Sequence, residues 1–505
     1  MKYIDSLLDR TTMYRLVLYV LIGQIAMATM LAFFNLLHFS PLALLVSTAF
    51  LVVICWAMNT ICARVFQVPA NIESAFITAL ILALILDPAQ SPGGLQVIGW
   101  AAILAMASKY LLAIRHAHIF NPAAIAVVIT AFTIGGSASW WIGTASMLPV
   151  VLIGGWLMAR KLRQEEMVLL FCAVALVGTL VLALYSGKTL STELSYLLFQ
   201  SPLLFFGSIM LTEPLTAPPT RTLRRLNAAL VGILFIPLIH IGSLYSTPEL
   251  ALITGNALFY LVSPSKKVLL KLNKKLRLAP QIVDFVFKPS QPLAFTPGQY
   301  MEFTLEHQRP DSRGNRRYFT LASSPTEPTV RLGVRFYKHS SSFKRALYRM
   351  DGKARLVAGQ IAGDFTLPDD PSEKLVFIAG GIGITPFRSM LKYLLDTQQR
   401  RDIVLIYANK TAEEIVYRDT LDAAHSRLGV KILYTLTDPA AVPRNWTGCV
   451  GRVNEQMILR TIPDYDERTY YLSGPPEMVR ASEQALKNMA VSGHQVKKDF
   501  FPGLV

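Results

Sequence analysis

Long apolar runs fill the first half of this 505-residue chain and constrain its fold more than any other feature. Each run is long enough, or nearly so, to cross a hydrocarbon core of roughly 30 Å as a helix. We count ten runs, which begin near residues 15, 41, 75, 95, 122, 140, 166, 194, 227 and 249. The sequence therefore predicts a polytopic membrane domain of about ten transmembrane helices over residues 1–264, surrounded by the lipid bilayer.

The basic residues indicate how such a domain would be oriented. Only 13 of the 49 lysines and arginines lie in residues 1–264, which leaves 36 in residues 265–505. With ten spans, the loops on the side opposite the termini offer only Lys188. Because loops rich in positive charge stay in the cytoplasm, we expect a bacterial-type inner membrane protein with both termini in the cytoplasm. No basic run interleaved with aromatic residues occurs, so nucleic acid is not an expected partner.

The cysteines give no sign of a metal centre. The four cysteines form neither a Cys-x-x-Cys pair nor a ferredoxin-like spacing, so an iron–sulfur domain is not expected. Cys55 and Cys62, seven residues apart on one helical face, are interpreted as small buried residues; ligation of a metal shared with a partner subunit is the alternative. We predict no metal site.

Three polar segments in the first half carry a family resemblance. They are Lys109-Tyr110 followed by residues 118–124, which include Asn121-Pro122, then residues 73–82 and residues 210–218. Together they resemble the flavin-carrying membrane subunit shared by the sodium-pumping NADH:quinone reductase and the Rnf electron-transport complex. The resemblance implies membrane electron transport with other subunits as partners. That family attaches FMN to a threonine in an Asp-x-x-Ser-Gly-Ala-Thr-like loop, which this sequence lacks. A redox centre in this half, such as a second flavin, would therefore be noncovalent or absent.

The polar segments of the first half have two interpretations. Asn121-Pro122 and Thr212-Glu213-Pro214 place polar, helix-breaking residues at the inner ends of predicted spans. They could line a cofactor pocket, or they could simply end helices and turn the chain. The sequence does not decide between these alternatives.

Beyond residue 264 the pattern changes to short alternating strands, such as residues 281–287, separated by Pro and Gly. This pattern predicts a small antiparallel β-barrel over residues 265–370. One strand contains Arg317, Tyr318, Phe319 and Thr320. An arginine can pair with a flavin phosphate, an aromatic ring can cover the flavin and a hydroxyl can bond its edge. We expect these four residues to bind a flavin.

A pair of serines about twenty residues further along suggests a second contact with the same flavin. Ser341 and Ser342 precede a helical pattern, and the free N–H groups of a helix start can hold the pyrophosphate of FAD. A serine that only caps its helix is the alternative.

From residue 371 onward, strands alternate with helices, which predicts a doubly wound α/β domain over residues 371–505. A buried strand at residues 375–379 leads through a glycine-rich segment into a helix at Phe387. Glycines let backbone N–H groups approach a dinucleotide pyrophosphate, and proline suits the first helical turn. A strand ending at Asn409 and another at residues 470–473 complete the sheet. The predicted nucleotide-binding residues are Gly380, Gly381, Gly383, Thr385, Pro386, Asn409, Gly474, Pro475 and Pro476.

The order of these motifs resembles the ferredoxin–NADP reductase superfamily across residues 266–505. The resemblance implies FAD, NAD(P)H and hydride transfer to the flavin. Many relatives have cysteine next to the nicotinamide where this chain has Ser473, which makes Ser473 a candidate catalytic residue. Thr320, whose hydroxyl can bond the flavin edge, is the second candidate. The segment containing Phe501 resembles an aromatic cap over the flavin, with a flexible tail as the alternative. Residues 407–414 are similar to the corresponding segment of relatives that use NADH. NADPH is the alternative, because Lys410 could pair with its additional phosphate.

The sequence thus predicts a membrane-bound flavoprotein oxidoreductase, in which FAD takes hydride from NAD(P)H, with NADH favoured, and passes electrons onward. The acceptor would be a quinone, another membrane component or an extracytoplasmic molecule. In a second hypothesis the membrane half only anchors a reductase that serves a separate redox partner. A third, a redox-sensing transporter, is disfavoured by the scarcity of charge at mid-membrane depth.

Overall fold

The computed structural model describes residues 8, 11–66, 72–114, 117–236, 239–242, 244–263, 267–308, 310–311, 314–352 and 354–499. The chain divides into two compact units, Met1–Lys267 and Val268–Phe501. Each unit has its own apolar core.

The first unit is helical. Within its described residues lie eleven α-helices and two short hairpins, Ala113–Ile114 with Ala117–His118 and His240–Ile241 with Leu244–Tyr245. The short helix Leu203–Phe205 continues directly as a π-helical turn, Phe206–Met210. The helices are α1 Met13–Phe33, α2 Pro41–Val65, α3 Ile72–Ile85, α4 Pro92–Leu111, α5 Pro122–Ile134, α6 Leu148–Leu162, α7 Glu165–Tyr185, α8 Leu190–Phe199, α9 Leu203–Phe205, α10 Arg221–Leu234 and α11 Pro248–Val262.

The prediction of ten membrane spans is wrong in number. Among the described residues, five helices are long and apolar enough to cross a membrane: α1, α2, α4, α6 with the preceding turn from Ala145, and α7. Helices α3, α5 and α11 are apolar but have only 14, 13 and 15 residues, and at 1.5 Å per residue they reach only roughly 20 Å. Helix α8 is shorter still, with 10 residues. Helix α10 has 14 residues and carries three arginines in its first two turns, Arg221, Arg224 and Arg225, so it is neither long nor apolar enough. Apolar runs in the sequence therefore overestimated the lengths of the helices.

The two polar motifs of this unit meet in space. Asn121 caps α5, because its Oδ1 accepts hydrogen bonds from the N–H groups of Ala123 and Ala124, both at 3.1 Å. Its Nδ2 donates to Oε2 of Glu213 at 2.8 Å, and its backbone N–H donates to Oδ1 of Asn256 at 3.0 Å. The prediction that Asn121 marks a helix boundary is confirmed, whereas a cofactor pocket at these motifs stays a prediction.

The second unit begins with a six-stranded antiparallel sheet in the order β4-β3-β6-β1-β2-β5. The backbone N–H of Ala322, just after β4, donates to the carbonyl of Arg331 in β5 at 2.9 Å and so links the two edge strands. Phe285, Phe303 and Phe343 fill the core. The elements are β1 Val268–Ala279, β2 Ile282–Pro289, β3 Tyr300–Thr304, β4 Arg316–Thr320, β5 Val330–Arg335, helix α12 Ser342–Arg349 and β6 Arg355–Ala362.

A six-stranded parallel sheet follows, in the order β10-β9-β8-β7-β11-β12. Every residue of β7 and β8 is buried, as expected for strands that are covered on both faces. This confirms the predicted doubly wound domain. Its elements are β7 Leu375–Gly380, α13 Thr385–Asp396, β8 Ile403–Asn409, α14 Arg418–Leu428, β9 Lys431–Leu436, β10 Cys449–Val450, α15 Glu455–Thr461, β11 Thr469–Ser473, α16 Pro476–Asn488 and β12 Val496–Lys498.

Helix α13 joins the two sheets of the second unit. The guanidinium of Arg388 donates to the carbonyl of Ala322 at 2.8 Å and forms a bidentate ion pair with Glu327, in which the Nη2–Oε1 distance is 2.9 Å. The hydroxyl of the next residue, Ser389, donates to the carbonyl of Ser323 at 2.6 Å. Since α13 follows the glycine-rich segment, these bonds also hold that segment against the antiparallel sheet.

Candidate active site

The glycine-rich segment lies between β7 and α13, as predicted. Gly380 is the last residue of β7, the next residues form a 3₁₀ turn, Gly381–Ile384, and α13 starts at Thr385, two residues before the predicted position. Gly381 has φ of +53°, a left-handed conformation that favours glycine. Pro386 lies in the first turn of α13, where its missing N–H is not needed. The strand, loop and helix of the predicted phosphate loop are therefore confirmed.

A second loop packs directly against this turn. A Cβ atom at Gly383 would overlap the carbonyl of Ser473 and lie 2.6 Å from Cα of Gly474, and one at Gly474 would lie 3.0 Å from Cα of Gly380. Only glycines allow this close approach. The two loops follow the neighbouring strands β7 and β11, at the point where the order of strands changes direction, which is where open α/β sheets bind their ligands.

The other predicted residues of this edge lie beside the two loops. A Cβ at Gly380 would lie 3.0 Å from Cδ of Pro475, and Pro476 begins α16. Asn409 is buried at the carboxyl end of β8, and its backbone carbonyl accepts a hydrogen bond from the N–H of Thr437 at 2.8 Å. The predicted nucleotide-binding residues thus meet at one edge of the parallel sheet.

Tyr407 ties β8 to the glycine-rich turn. Its hydroxyl donates to the carbonyl of Gly381 at 3.1 Å. Burial raises the pKa of the Tyr407 hydroxyl, so the hydroxyl keeps its proton and remains a donor at neutral pH. The glycine-rich turn is therefore held in place by the uncharged hydroxyl of Tyr407.

The predicted flavin strand is β4. Arg317 is 2% exposed, and its guanidinium lies over the ring of Phe343, 5.5 Å from the centroid. Phe319 packs with ring-centroid distances of 6.0 Å against both Phe303 and Phe343. The Tyr318 hydroxyl donates to Oε2 of Glu302 at 2.9 Å. The structure thus packs Phe319 into the core of the antiparallel sheet, and its role as a flavin cover stays a prediction.

Ser341 and Ser342 start helix α12, as predicted. The Ser341 hydroxyl accepts a hydrogen bond from the N–H of Lys344 at 3.2 Å, which is the capping interaction considered as the alternative role. The N–H of Ser342 donates to Oδ2 of Asp311 at 2.8 Å, and Oδ1 of Asp311 lies 3.7 Å from Nη2 of Arg317. Asp311, which the sequence motifs did not single out, therefore brings together the two predicted phosphate-binding elements.

The two candidate catalytic residues meet at a single carboxylate. The Ser473 hydroxyl at the end of β11 donates to Oδ2 of Asp499 at 2.9 Å, and the Thr320 hydroxyl at the end of β4 donates to the same oxygen at 3.3 Å. The sequence motifs did not single out Asp499, so this contact was missed. Phe501 lies outside the described residues, so its predicted role as a cap stays a prediction.

Part of the chain is similar to known proteins. Residues 377–484 match the family of the oxidoreductase NAD-binding domain. The chain is 30% identical over 227 residues to the stachydrine N-demethylase reductase subunit Stc4 of Rhizobium meliloti, which covers 44% of this chain and 63% of the relative. It is 29% identical over 221 residues to the glycine betaine monooxygenase reductase subunit of Chromohalobacter salexigens, covering 40% and 56%.

A third relative is a cytochrome b5 reductase. The NADH-cytochrome b5 reductase 1 of Pyricularia oryzae is 30% identical over 205 residues, which cover 39% of this chain and 65% of that protein. The chain thus spans only 56 to 65% of the length of these three relatives.

The fold, the site and these relatives define the class of the second unit. An antiparallel sheet is joined to a parallel sheet that carries the oxidoreductase NAD-binding domain, and strand ends from both sheets meet at Thr320 and Ser473. More particularly, the chain is similar over this half to reductases of the class of NAD(P)H-dependent flavin oxidoreductases.

Proposed function

We propose that the whole chain is a membrane-bound flavoprotein oxidoreductase, which takes hydride from NAD(P)H, with NADH favoured, onto FAD and delivers the electrons to a membrane, quinone or extracytoplasmic acceptor. The observation that carries the catalytic part is the shared hydrogen bonding of Asp499 with Thr320 and Ser473. This carboxylate ties the end of the flavin strand to the end of the nucleotide strand. A hydride donor and its acceptor must meet at such a junction.

The residues of the module fit both cofactors. The glycines at positions 380, 381, 383 and 474 leave space where side chains would block the approach of a dinucleotide pyrophosphate. Arg317 and the start of α12 supply a cation and backbone N–H groups for the pyrophosphate of FAD. FAD supplies the chemistry of accepting a hydride and releasing electrons one at a time.

Asp499 has a defined part in this proposal. Its Oδ2 accepts hydrogen bonds from both hydroxyls, so it holds Thr320 and Ser473 next to each other, where Thr320 would contact the flavin and Ser473 the nicotinamide. A carboxylate within hydrogen-bond reach of a hydroxyl can also accept or return a proton as the flavin is reduced and reoxidised. Serine in place of cysteine next to the nicotinamide is expected to change the rate of hydride transfer and not to prevent it.

The membrane part of the proposal rests on the first unit. Five of its helices are long and apolar enough to cross a bilayer. Large apolar side chains on their surfaces are exposed, among them Leu42, Val65 and Leu169 at 69 to 71%, and so extensive an apolar surface suits lipid better than water. The family resemblance of this half would add a noncovalent second flavin and partner subunits. We place the protein in the cytoplasmic membrane of a bacterial-type cell, with the reductase module in the cytoplasm.

A second candidate function follows from the relatives. Two of them are named as reductase subunits, of stachydrine N-demethylase and of glycine betaine monooxygenase. By analogy, the reductase module here would serve a separate redox protein, and the membrane unit would anchor it.

Reconstitution distinguishes the two functions. The purified full-length protein is placed in liposomes with and without a lipid-soluble quinone, and anaerobic oxidation of NADH is followed after the flavin has been counted by acid precipitation. The first proposal predicts quinone-dependent NADH oxidation over many turnovers. Reduction of the flavin without turnover on quinone would instead favour a separate protein acceptor.

A further inference from the structure

The carboxylate of Asp311 contacts both elements that the proposed function assigns to the phosphates of FAD, namely Arg317 and the start of α12. Oδ2 of Asp311 accepts a hydrogen bond from the N–H of Ser342 at 2.8 Å, and Oδ1 lies 3.7 Å from the Arg317 guanidinium. We propose that Asp311 is an internal competitor for the pyrophosphate of FAD. This residue weakens the binding of flavins that carry phosphate and leaves the binding of riboflavin, which has no phosphate, unchanged. The inference rests on the proposed function, because it takes Arg317 and α12 as the FAD site.

Asp311 uses the same donors that a pyrophosphate needs. The start of a helix attracts anions through its free N–H groups and its dipole, and the arginine supplies the matching cation. Arg317 is 2% exposed and lies over Phe343, whereas the side chain of Asp311 is 25% exposed. The arginine is therefore fixed by its packing, and the aspartate is the partner that can leave.

The contact is reciprocal, so it forms a defined arrangement of the chain. The backbone N–H of Asp311 donates to the Ser342 hydroxyl at 2.9 Å, while the Asp311 carboxylate accepts from the Ser342 N–H. The Ser342 hydroxyl also pairs with Nε2 of His307 at 3.0 Å. Both Asp311 and His307 belong to the segment that connects β3 and β4.

Two anions cannot share this position without a cost. Like charges within a few ångströms repel each other, and the effect is larger where the site is shielded from water. The pyrophosphate must therefore displace the carboxylate, and the free energy of the Asp311–Ser342 contact is subtracted from the binding free energy of FAD. Riboflavin has no phosphate and does not meet this competition.

The test compares two charge-neutralising variants of the full-length protein in detergent, Asp311→Asn and Glu306→Gln. Glu306 lies on the same connecting segment and is exposed, so its variant controls for net charge. Asn still caps a helix as well as Asp does, so the fold of α12 is kept. Binding of FAD and of riboflavin to flavin-stripped protein is measured by calorimetry.

We expect Asp311→Asn to bind FAD about tenfold more tightly than the unsubstituted protein, because an anion at a helix start beside a cation is worth about a factor of that size. Riboflavin affinity should not change, and Glu306→Gln should behave like the unsubstituted protein. Asp311→Ser, which removes the charge but keeps an oxygen acceptor, should shift FAD affinity in the same direction.

Three results separate the possible failures. Equal or weaker FAD binding by Asp311→Asn and Asp311→Ser would overturn the competition. An equal gain in riboflavin affinity would also overturn it, because the effect would then arise from the segment and not from phosphate charge. If Arg317→Ala leaves FAD affinity unchanged, the FAD site itself is misplaced, which is a failure of the proposed function.

Discussion

The hydroxyl of Ser473 donates to Oδ2 of Asp499 at 2.9 Å, and this bond joins the carboxyl end of strand β11 to the segment after β12. The same carboxylate oxygen receives the hydroxyl of Thr320 from the other sheet. A single acidic residue near the end of the chain therefore determines how the two candidate catalytic hydroxyls are oriented.

Replacing this acid should slow the chemistry. We expect Asp499→Asn to lower the rate of flavin reduction by NADH roughly 10- to 100-fold, because the amide cannot accept a proton and donates where the carboxylate only accepts. Stopped-flow absorbance under anaerobic conditions measures this rate. Asp466→Asn, at an exposed position in the same domain, is the control; equal rates in the two variants would remove Asp499 from the site.

The contact between the two loops predicts a different defect. A side chain at Gly383 would collide with the backbone of Ser473 and Gly474, so Gly383→Val should push the two loops apart. We expect the flavin content to be kept, while the KM for NADH rises about tenfold or more, since overpacking of this kind costs about 1–3 kcal/mol. Steady-state kinetics measure the change.

A matched glycine provides the control for this variant. Gly493 belongs to the same domain and has no atom near the position of a Cβ, so Gly493→Ala should keep the KM of the unsubstituted protein. An unchanged KM in Gly383→Val would show that the glycine-rich turn does not bind the nucleotide.

Arg317 should determine flavin retention. We expect Arg317→Ala to weaken FAD binding about 10- to 100-fold, because a hydrogen bond to a charged group contributes about 1.5–3 kcal/mol. Flavin content after gel filtration measures the loss. Arg400→Ala, at an exposed position in the loop after α13, should retain all its flavin; if the two variants retain equal flavin, Arg317 does not contact the cofactor.

The ion pair between Arg388 and Glu327 should stabilise the joint between the two sheets. Arg388 is 2% exposed, so Glu327→Gln leaves a buried guanidinium with a weaker partner and should destabilise the module by about 2 kcal/mol. Thermal unfolding measures the effect. Glu483→Gln, in a more exposed pair with Lys498, should lower the free energy of unfolding by less than about 0.5 kcal/mol. Equal losses of stability in the two variants would show that the Arg388–Glu327 pair does not stabilise the joint between the sheets.

The same pair predicts a dependence on pH. Burial raises the pKa of Glu327, but the charges of Arg388 and Arg331 outweigh burial and hold this pKa below the ordinary value of 4.5. A lowered pKa in the folded state means that the stabilisation is present above pH 4.5 and is lost as the pH falls towards the lowered pKa. Glu327→Gln should therefore reduce the loss of stability between pH 4.5 and lower pH, as measured by melting temperature across this range; an unchanged slope would contradict it.

Local sequence signals predicted the nucleotide loop well. Strand β8 ends at Asn409 as predicted, and the glycine-rich segment joins β7 to α13 as expected. These elements follow from short-range patterns, namely continuous apolar strands, glycines at a turn and proline in a first helical turn.

The contacts that complete the site could not be predicted in this way. Asp499 meets Thr320 across 179 residues of sequence, and Asp311 reaches Ser342 across 31. No periodic pattern marks such a pairing, because it depends on the folded path of the chain. In the first unit, apolar composition predicted where helices lie but not where they end, since helix ends depend on capping residues such as Asn121.

An anaerobic titration of the purified, flavin-loaded protein with NADH tests the central claim most directly. The account predicts that stoichiometric NADH bleaches the visible absorbance of the flavin, and that NADPH does so more slowly. If the flavin stays oxidised with both nucleotides, hydride transfer at Thr320, Ser473 and Asp499 is contradicted, and a redox-sensing role would have to be considered instead.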